Sequence, residues 1–97
     1  MMPLRVMVCK KCKGHACLED VLTRKTNAVV VPVQCQKICH GPVAGLDVNG
    51  RTEWFERLSK AKSIVELVRL VRRRGEGEIR HSLEKRRVRR HSGRRAR

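Results

Sequence analysis

Residues 35–43 read CQKICHGPV. The two cysteines follow a β-branched run, AVVVPV at 28–33, and a Gly-Pro pair precedes the next apolar stretch. This pattern reads as a strand, a thiol-bearing loop and a second strand. Pro32 has no backbone N–H, which puts the first strand at a sheet edge or a bulge. Downstream, residues 43–48 and 51–55 flank Asn49-Gly50, a pair suited to the positive φ angles of a two-residue type I′ turn, so a hairpin is expected. Trp54 and Phe55 are neighbours on its second strand and must face opposite sides. One is expected in the core and the other on a contact surface. Ser63 and Glu66 have capping-box spacing. Ile64, Leu67, Val68 and Val71 then recur at helical period, so a helix closes the body.

Upstream, residues 4–8 read as a buried strand that delivers Cys9 at its end. A loop with Gly14 follows over 10–16. Residues 17–23 suit a short helix with Leu18, Val21 and Leu22 on its apolar face, and Thr26-Asn27 signals a turn. The element order is β-α-β-β-β-α, in the α+β class, with no internal repeat.

The five cysteines fall in two groups, Cys9, Cys12 and Cys17, then Cys35 and Cys39. Each group directly follows a predicted strand. Adjacent strands ending at one sheet edge would bring the two loops together on a stiff support, as a thiolate site requires. Iron–sulfur clusters take four Cys thiolates. Zinc takes four Cys or Cys/His ligands, and Cys9-x2-Cys12 with Cys35-x3-Cys39 would make a Cys₄ zinc site. Cys9-Lys10-Lys11-Cys12 also has the spacing of a dithiol redox pair, which leaves Cys35 and Cys39 unexplained. A free cysteine is often a small buried hydrophobe, but two groups at strand ends ask for more than that. His15 and His40 read as solvated loop residues. Lys10, Lys11, Lys13 and Lys37 form a basic rim that would raise the potential of a negatively charged centre or dock an acidic partner.

Strand-ending Cys9, Cys17 at a helix start, and Cys35-x3-Cys39 followed by Gly41-Pro42-Val43 resemble the thioredoxin-like [2Fe–2S] ferredoxins, a fold that also occurs in the small cluster-bearing subunit of respiratory complex I. The resemblance covers roughly residues 4–74. The hairpin and the closing helix fall where that fold has its last two strands and final helix. It implies a thioredoxin-like fold, one [2Fe–2S] cluster, one-electron transfer or redox sensing, and Cys9, Cys17, Cys35 and Cys39 as ligands. Cys12 is the alternative ligand, because Cys12-x4-Cys17 also has a spacing seen in the family. The short stretch between Cys17 and Cys35 calls for an abbreviated first helix. The other open function is a zinc-stabilised module that binds nucleic acid or a nucleoprotein particle.

The chain has 97 residues and a formal net charge of +15, which bounds it to one domain over 1–74 with an Arg-rich tail over 75–97. Residues 72–97 hold twelve Arg and Lys against three Glu, with Ile79, Leu83 and Val88 as their large apolar residues. Like-charged blocks repel themselves, so the tail is expected to be disordered when free, or helical over 78–90 on binding. Arg72, Arg73, Arg74, Lys85, Arg86, Arg87, Arg89, Arg90, Arg94, Arg95 and Arg97 are the candidate contacts to nucleic acid, an acidic partner or a nucleoprotein particle through phosphate pairing and counterion release. A redox partner, a second copy or a larger complex also fits the reading. With one Trp, one Phe and no Tyr, the core is marginal and a metal centre would add stability. No secretory or membrane-spanning pattern is visible, so a cytoplasmic protein with reduced or metal-bound cysteines is expected. No catalytic base or nucleotide loop is apparent, and no autonomous enzyme is predicted.

Overall fold

A computed structural model describes residues 4–10, 14–34, 38 and 41–93. The chain runs β1 (Arg5–Cys9), α1 (His15–Lys25), β2 (Val29–Val33), β3 (Ala44–Val48), β4 (Arg51–Phe55), α2 (Ala61–Arg72) and α3 (His81–Glu84), then a 3₁₀ turn at Arg89–His91. One four-stranded mixed sheet has the order β2-β1-β3-β4. β1 and β2 are parallel, while β1/β3 and β3/β4 are antiparallel. The β-α-β-β-β-α body has the expected element order, and Pro32 lies on the edge strand β2. Asn49 and Gly50 have φ of 51° and 85°, as the hairpin turn requires. No helix among the described residues is long and apolar enough to cross a membrane.

Strand alternation divides the apolar side chains between two faces. Val6, Val8, Ala44, Leu46 and Phe55 pack with Leu18 and Leu22 of α1 and with Leu67 and Leu70 of α2. Both longer helices therefore cover one face of the sheet. Cys9, Val43, Trp54, Ile38 and Val88 form a second, smaller cluster on the other face. Trp54 and Phe55 do face opposite sides, yet both are 0% exposed. The expected contact surface at one of them is instead covered by Val88. Gly45 lies opposite Trp54 in the β3/β4 register. A Cβ there would sit 2.6–2.8 Å from three indole atoms, so the absent side chain makes room for the ring.

Both helices differ in their limits from the sequence expectation. α1 extends over 11 residues and is not abbreviated. Gly14, in the left-handed region at φ 87°, caps its start. Thr26 ends it by donating both its N–H (3.0 Å) and its hydroxyl (2.6 Å) to the Leu22 carbonyl. α2 opens at Ala61, and Ser63 is buried inside its first turn without acting as a cap. The preceding turn is pinned instead by the Leu58 N–H, which donates to the Pro42 carbonyl at 3.1 Å.

The largest departure is at the C-terminal end. Residues 75–93 pack on the body, where a disordered or conditionally helical tail was expected. Of 78–90, only His81–Glu84 is α-helical. After α2 the chain turns through Gly75, whose carbonyl accepts from Asn49 N–H at 2.8 Å. The Asn49 side chain exchanges two 3.0 Å bonds with the Gly77 backbone. Leu83 then enters the helix-side core and Val88 the opposite cluster. Between them the segment runs along the free edge of β4. Glu56 N–H donates to the Arg86 carbonyl (2.8 Å), Val88 N–H to the Trp54 carbonyl (2.7 Å), and Gly93 N–H to the Thr52 carbonyl (2.7 Å). These bonds satisfy an edge that would otherwise be open to other strands.

Charge repulsion does not prevent this packing because Glu53, its side chain 3% exposed, pairs with Arg87 at 2.5 Å. Ser92 also donates to Glu53, and Arg87 reaches Glu84 at 3.3 Å. Burial pushes the Glu53 carboxyl up. Hydrogen bonds from Arg87 and Ser92 and the charges of Arg87 and Arg51 outweigh this and hold it below its ordinary value of 4.5.

Gly45→Ala should destabilise the protein by about 1–3 kcal/mol through overpacking against Trp54, as read by urea denaturation monitored on Trp54 fluorescence. The contribution of Glu53 should be complete above pH 4.5 and be lost as pH falls through its lower folded-state value. The stability gap between the native protein and Glu53→Gln should thus narrow on acidification below that point; a gap that widens would contradict the pairing.

Candidate metal centre

The sheet register assembles the cysteine-bearing end of the molecule. Cys9 is level with Val33 in the parallel β1/β2 pair. The N–H of Lys10 donates to the Val33 carbonyl and that of Cys9 to the Val43 carbonyl, both at 3.1 Å. The loop that carries Cys35 and Cys39 in sequence therefore leaves β2 beside Cys9 and rejoins β3 beside Cys9. The segment after β1 starts at the same place. A Cβ on Gly14 would lie 3.1 Å from Pro42 Cγ, so the start of α1 abuts the return of the second loop. The Gly41–Pro42 peptide at that return is cis.

The two described cysteines occupy unlike settings. Cys17 is exposed in the first turn of α1, whereas Cys9 is fully buried at the end of β1. Cys9 packs in the cluster of Ile38, Val43, Trp54 and Val88. Cys12, Cys35 and Cys39 lie outside the described residues. Among the described residues no group of three or more His, Cys, Asp or Glu side chains converges as a metal site. His15, expected in a loop, is the first residue of α1, and its ring Nδ1 lies 3.3 Å from Glu19 one helical turn on. His40, Lys11, Lys13 and Lys37 fall outside the described residues, while Lys10 is exposed beside Cys9.

Thiolate donors suit iron and zinc alike, and the fold brings both cysteine segments to one end of the sheet. Cys9 is buried at the end of β1. Its position at a strand end gives a ligand with little freedom to move. Cys17 lies in the first turn of α1 with its side chain outside the core.

The candidate basic contacts are dispersed. Arg72 Nε donates to the Lys25 carbonyl at 3.0 Å, and the Arg73 guanidinium donates to the Glu78 carbonyl at 2.9 Å. Arg87 is engaged by Glu53 and Glu84, and Arg89 lies 3.4 Å from Glu84. Arg86 is half-buried along the β4 edge. Arg74, Lys85 and Arg90 are exposed, and Arg94, Arg95 and Arg97 lie outside the described residues. Sequence reading missed Glu53 as the partner of Arg87. No local pattern links residues 34 positions apart, and an acidic residue on a hairpin strand ordinarily faces water.

In the metal-free protein, iodoacetamide should alkylate Cys17 rapidly and leave Cys9 protected until the protein unfolds, as read by peptide mass mapping. Equal labelling of both in the native protein would overturn the burial of Cys9. Comparison of the chain with protein-family models, with curated proteins and with solved structures returned no match.

Proposed function

We propose that this chain is a thioredoxin-like [2Fe–2S] protein serving one-electron transfer or redox sensing. The observation that carries the reading is the placement of Cys9 between Val33 and Val43, which anchors both cysteine-bearing loops at one end of the sheet. The element order supports the thioredoxin-like reading: a parallel β-α-β unit, then an antiparallel hairpin and a helix. Cys9, Cys17, Cys35 and Cys39 are the proposed ligands. Bound to them, a [2Fe–2S] cluster would supply single-electron acceptance and release at the end of β1 and β2. The chain's own part is to hold the thiolates on short connections from the sheet and to shield one side with Trp54 and Val88. Exposed Lys10 adds positive charge beside a centre whose thiolates and sulfides are negative, which favours the reduced form. The burial of Cys9 would equally suit a core cysteine with Cys12 as the fourth ligand, so the two residues must be tested against each other.

Protein purified without oxygen should be red-brown, with about two irons and two sulfides per chain. Cys17→Ser, Cys35→Ser and Cys39→Ser should each lose cluster content. Cys9→Ser should lose it as well, while Cys12→Ser retains it. The reverse result for Cys9 and Cys12 would move the fourth ligand to Cys12. A colourless protein carrying one zinc would falsify the iron–sulfur reading and leave the zinc-stabilised module.

A further inference from the structure

The opposite end of the sheet holds a different kind of site. There the N-terminal ends of β1 and β2 open on a cavity of about 370 Å³. Leu4 and Val71 contribute apolar wall, Thr26 and Asn27 polar wall, and Arg24, Lys25, Arg72 and Arg74 its charge. Among the described residues, none that lines it is acidic. Arg24 and Lys25 end α1, and Arg72 and Arg74 come from the end of α2 and the turn after it. The two helix ends are tied together by the bond from Arg72 Nε to the Lys25 carbonyl, across 47 positions of sequence. That bond fixes the Arg72 guanidinium at the rim, and its terminal nitrogens carry the remaining four N–H donors.

Cations near helix C-termini complement the helix dipole, which accounts for one or two charges at each end. It does not account for four converging on one concavity in a protein of net charge +15. Like charges gathered this way repel one another, and a bound anion removes the repulsion. The contact of Arg24 with Asp20, at 2.8 Å between side chains 65% and 59% exposed, is of a kind that contributes little and exchanges readily. Arginine forks match phosphate and carboxylate oxygens bidentately, and a nucleic-acid backbone presents phosphates in a regular row. Exposed Arg69 and Arg73 extend the positive surface along the end of α2 beyond the cavity. Single-stranded nucleic acid is ordinarily held by stacking on exposed aromatics. Here Trp54 and Phe55 are both 0% exposed and the chain has no Tyr. Backbone phosphates displayed on the outside of a duplex need no such platform.

We propose that this cleft seats backbone phosphates of a nucleic-acid duplex, without base readout. It is separated from the cysteine end by the length of β1 and β2, about 16 Å for five residues. The proposal does not depend on what the cysteines hold.

The test is fluorescence anisotropy of the full chain with a labelled duplex of about 20 base pairs, titrated across a salt series. Arg24→Gln combined with Lys25→Gln should weaken binding about tenfold and lower the slope of log K against log salt by about 2. Arg74→Gln is a second, single-site variant that should lower the slope by about 1, and thermal melting confirms that each variant folds. Lys60→Gln with Lys62→Gln removes the same charge at the other end of α2 and should leave the slope near that of the native chain. Equal losses for the two double variants would reduce the effect to net charge and overturn the proposal. So would unchanged binding by the cleft variants with loss on removing residues 94–97. Tighter binding of the matching single strand, or equal competition by poly-glutamate, would overturn the duplex assignment, as would uptake of inorganic pyrophosphate without duplex affinity.

Discussion

The parallel pairing of β1 with β2 is the constraint on which the rest of the molecule depends. It sets Cys9 level with Val33 and brings Val43 back to the same place. A parallel pair requires a crossover, and α1 supplies it, with Leu18 and Leu22 buried against Val6 and Val8. Since both strands run the same way, their C-terminal ends, from which the cysteine-bearing segments depart, lie together. Their N-terminal ends lie together too, and there the last turns of α1 and α2 converge. One pairing therefore creates two poles, Cys9 and the departure points of both cysteine-bearing segments at one end and basic helix ends at the other.

The second determinant is the β4 edge. A four-stranded sheet covered by helices on one face leaves Trp54 on the other, where Cys9, Ile38 and Val43 of the body pack with it in a small cluster that Val88 completes. The C-terminal segment crosses β4, with Leu83 on one side and Val88 on the other. The same crossing satisfies backbone groups at the edge and places Arg87 on buried Glu53. This ion pair matters less for its attraction than for what removing Arg87 would leave behind, the buried Glu53 carboxylate without its counter-charge. The segment beside it therefore belongs to the folded unit despite its composition. Cys9 lies in the cluster it covers, so the C-terminal segment and the cysteine end are linked through Trp54 and Val88.

Much of the fold was legible in the sequence because it rests on local rules. Pro32 marked an edge strand, Asn49-Gly50 a tight hairpin, and alternation the opposite facing of Trp54 and Phe55. The limits of the helices were less legible. Ser63 and Glu66 have capping-box spacing, yet Ser63 is buried within the first turn of α2, whose first backbone bond runs from the Ile64 N–H to the Lys60 carbonyl. At the candidate centre, sequence order placed the cysteines at strand ends. It did not show that Cys9 would be buried and Cys17 exposed, since burial depends on what packs from elsewhere.

The sequence by itself determined the order of elements, the hairpin, the edge position of β2 and the grouping of thiols after strands. Each follows from periodicity or from the φ preferences of a few residues. Only the tertiary structure decided what covers Trp54, which arginines are engaged, and that the ends of α1 and α2 form one basic cleft. Those outcomes hang on contacts such as Arg87 with Glu53 and Arg72 with Lys25, made across 34 and 47 positions of chain. A charge run read along the sequence shows repulsion; the fold supplies the acid, the apolar socket or the second helix end that the run meets.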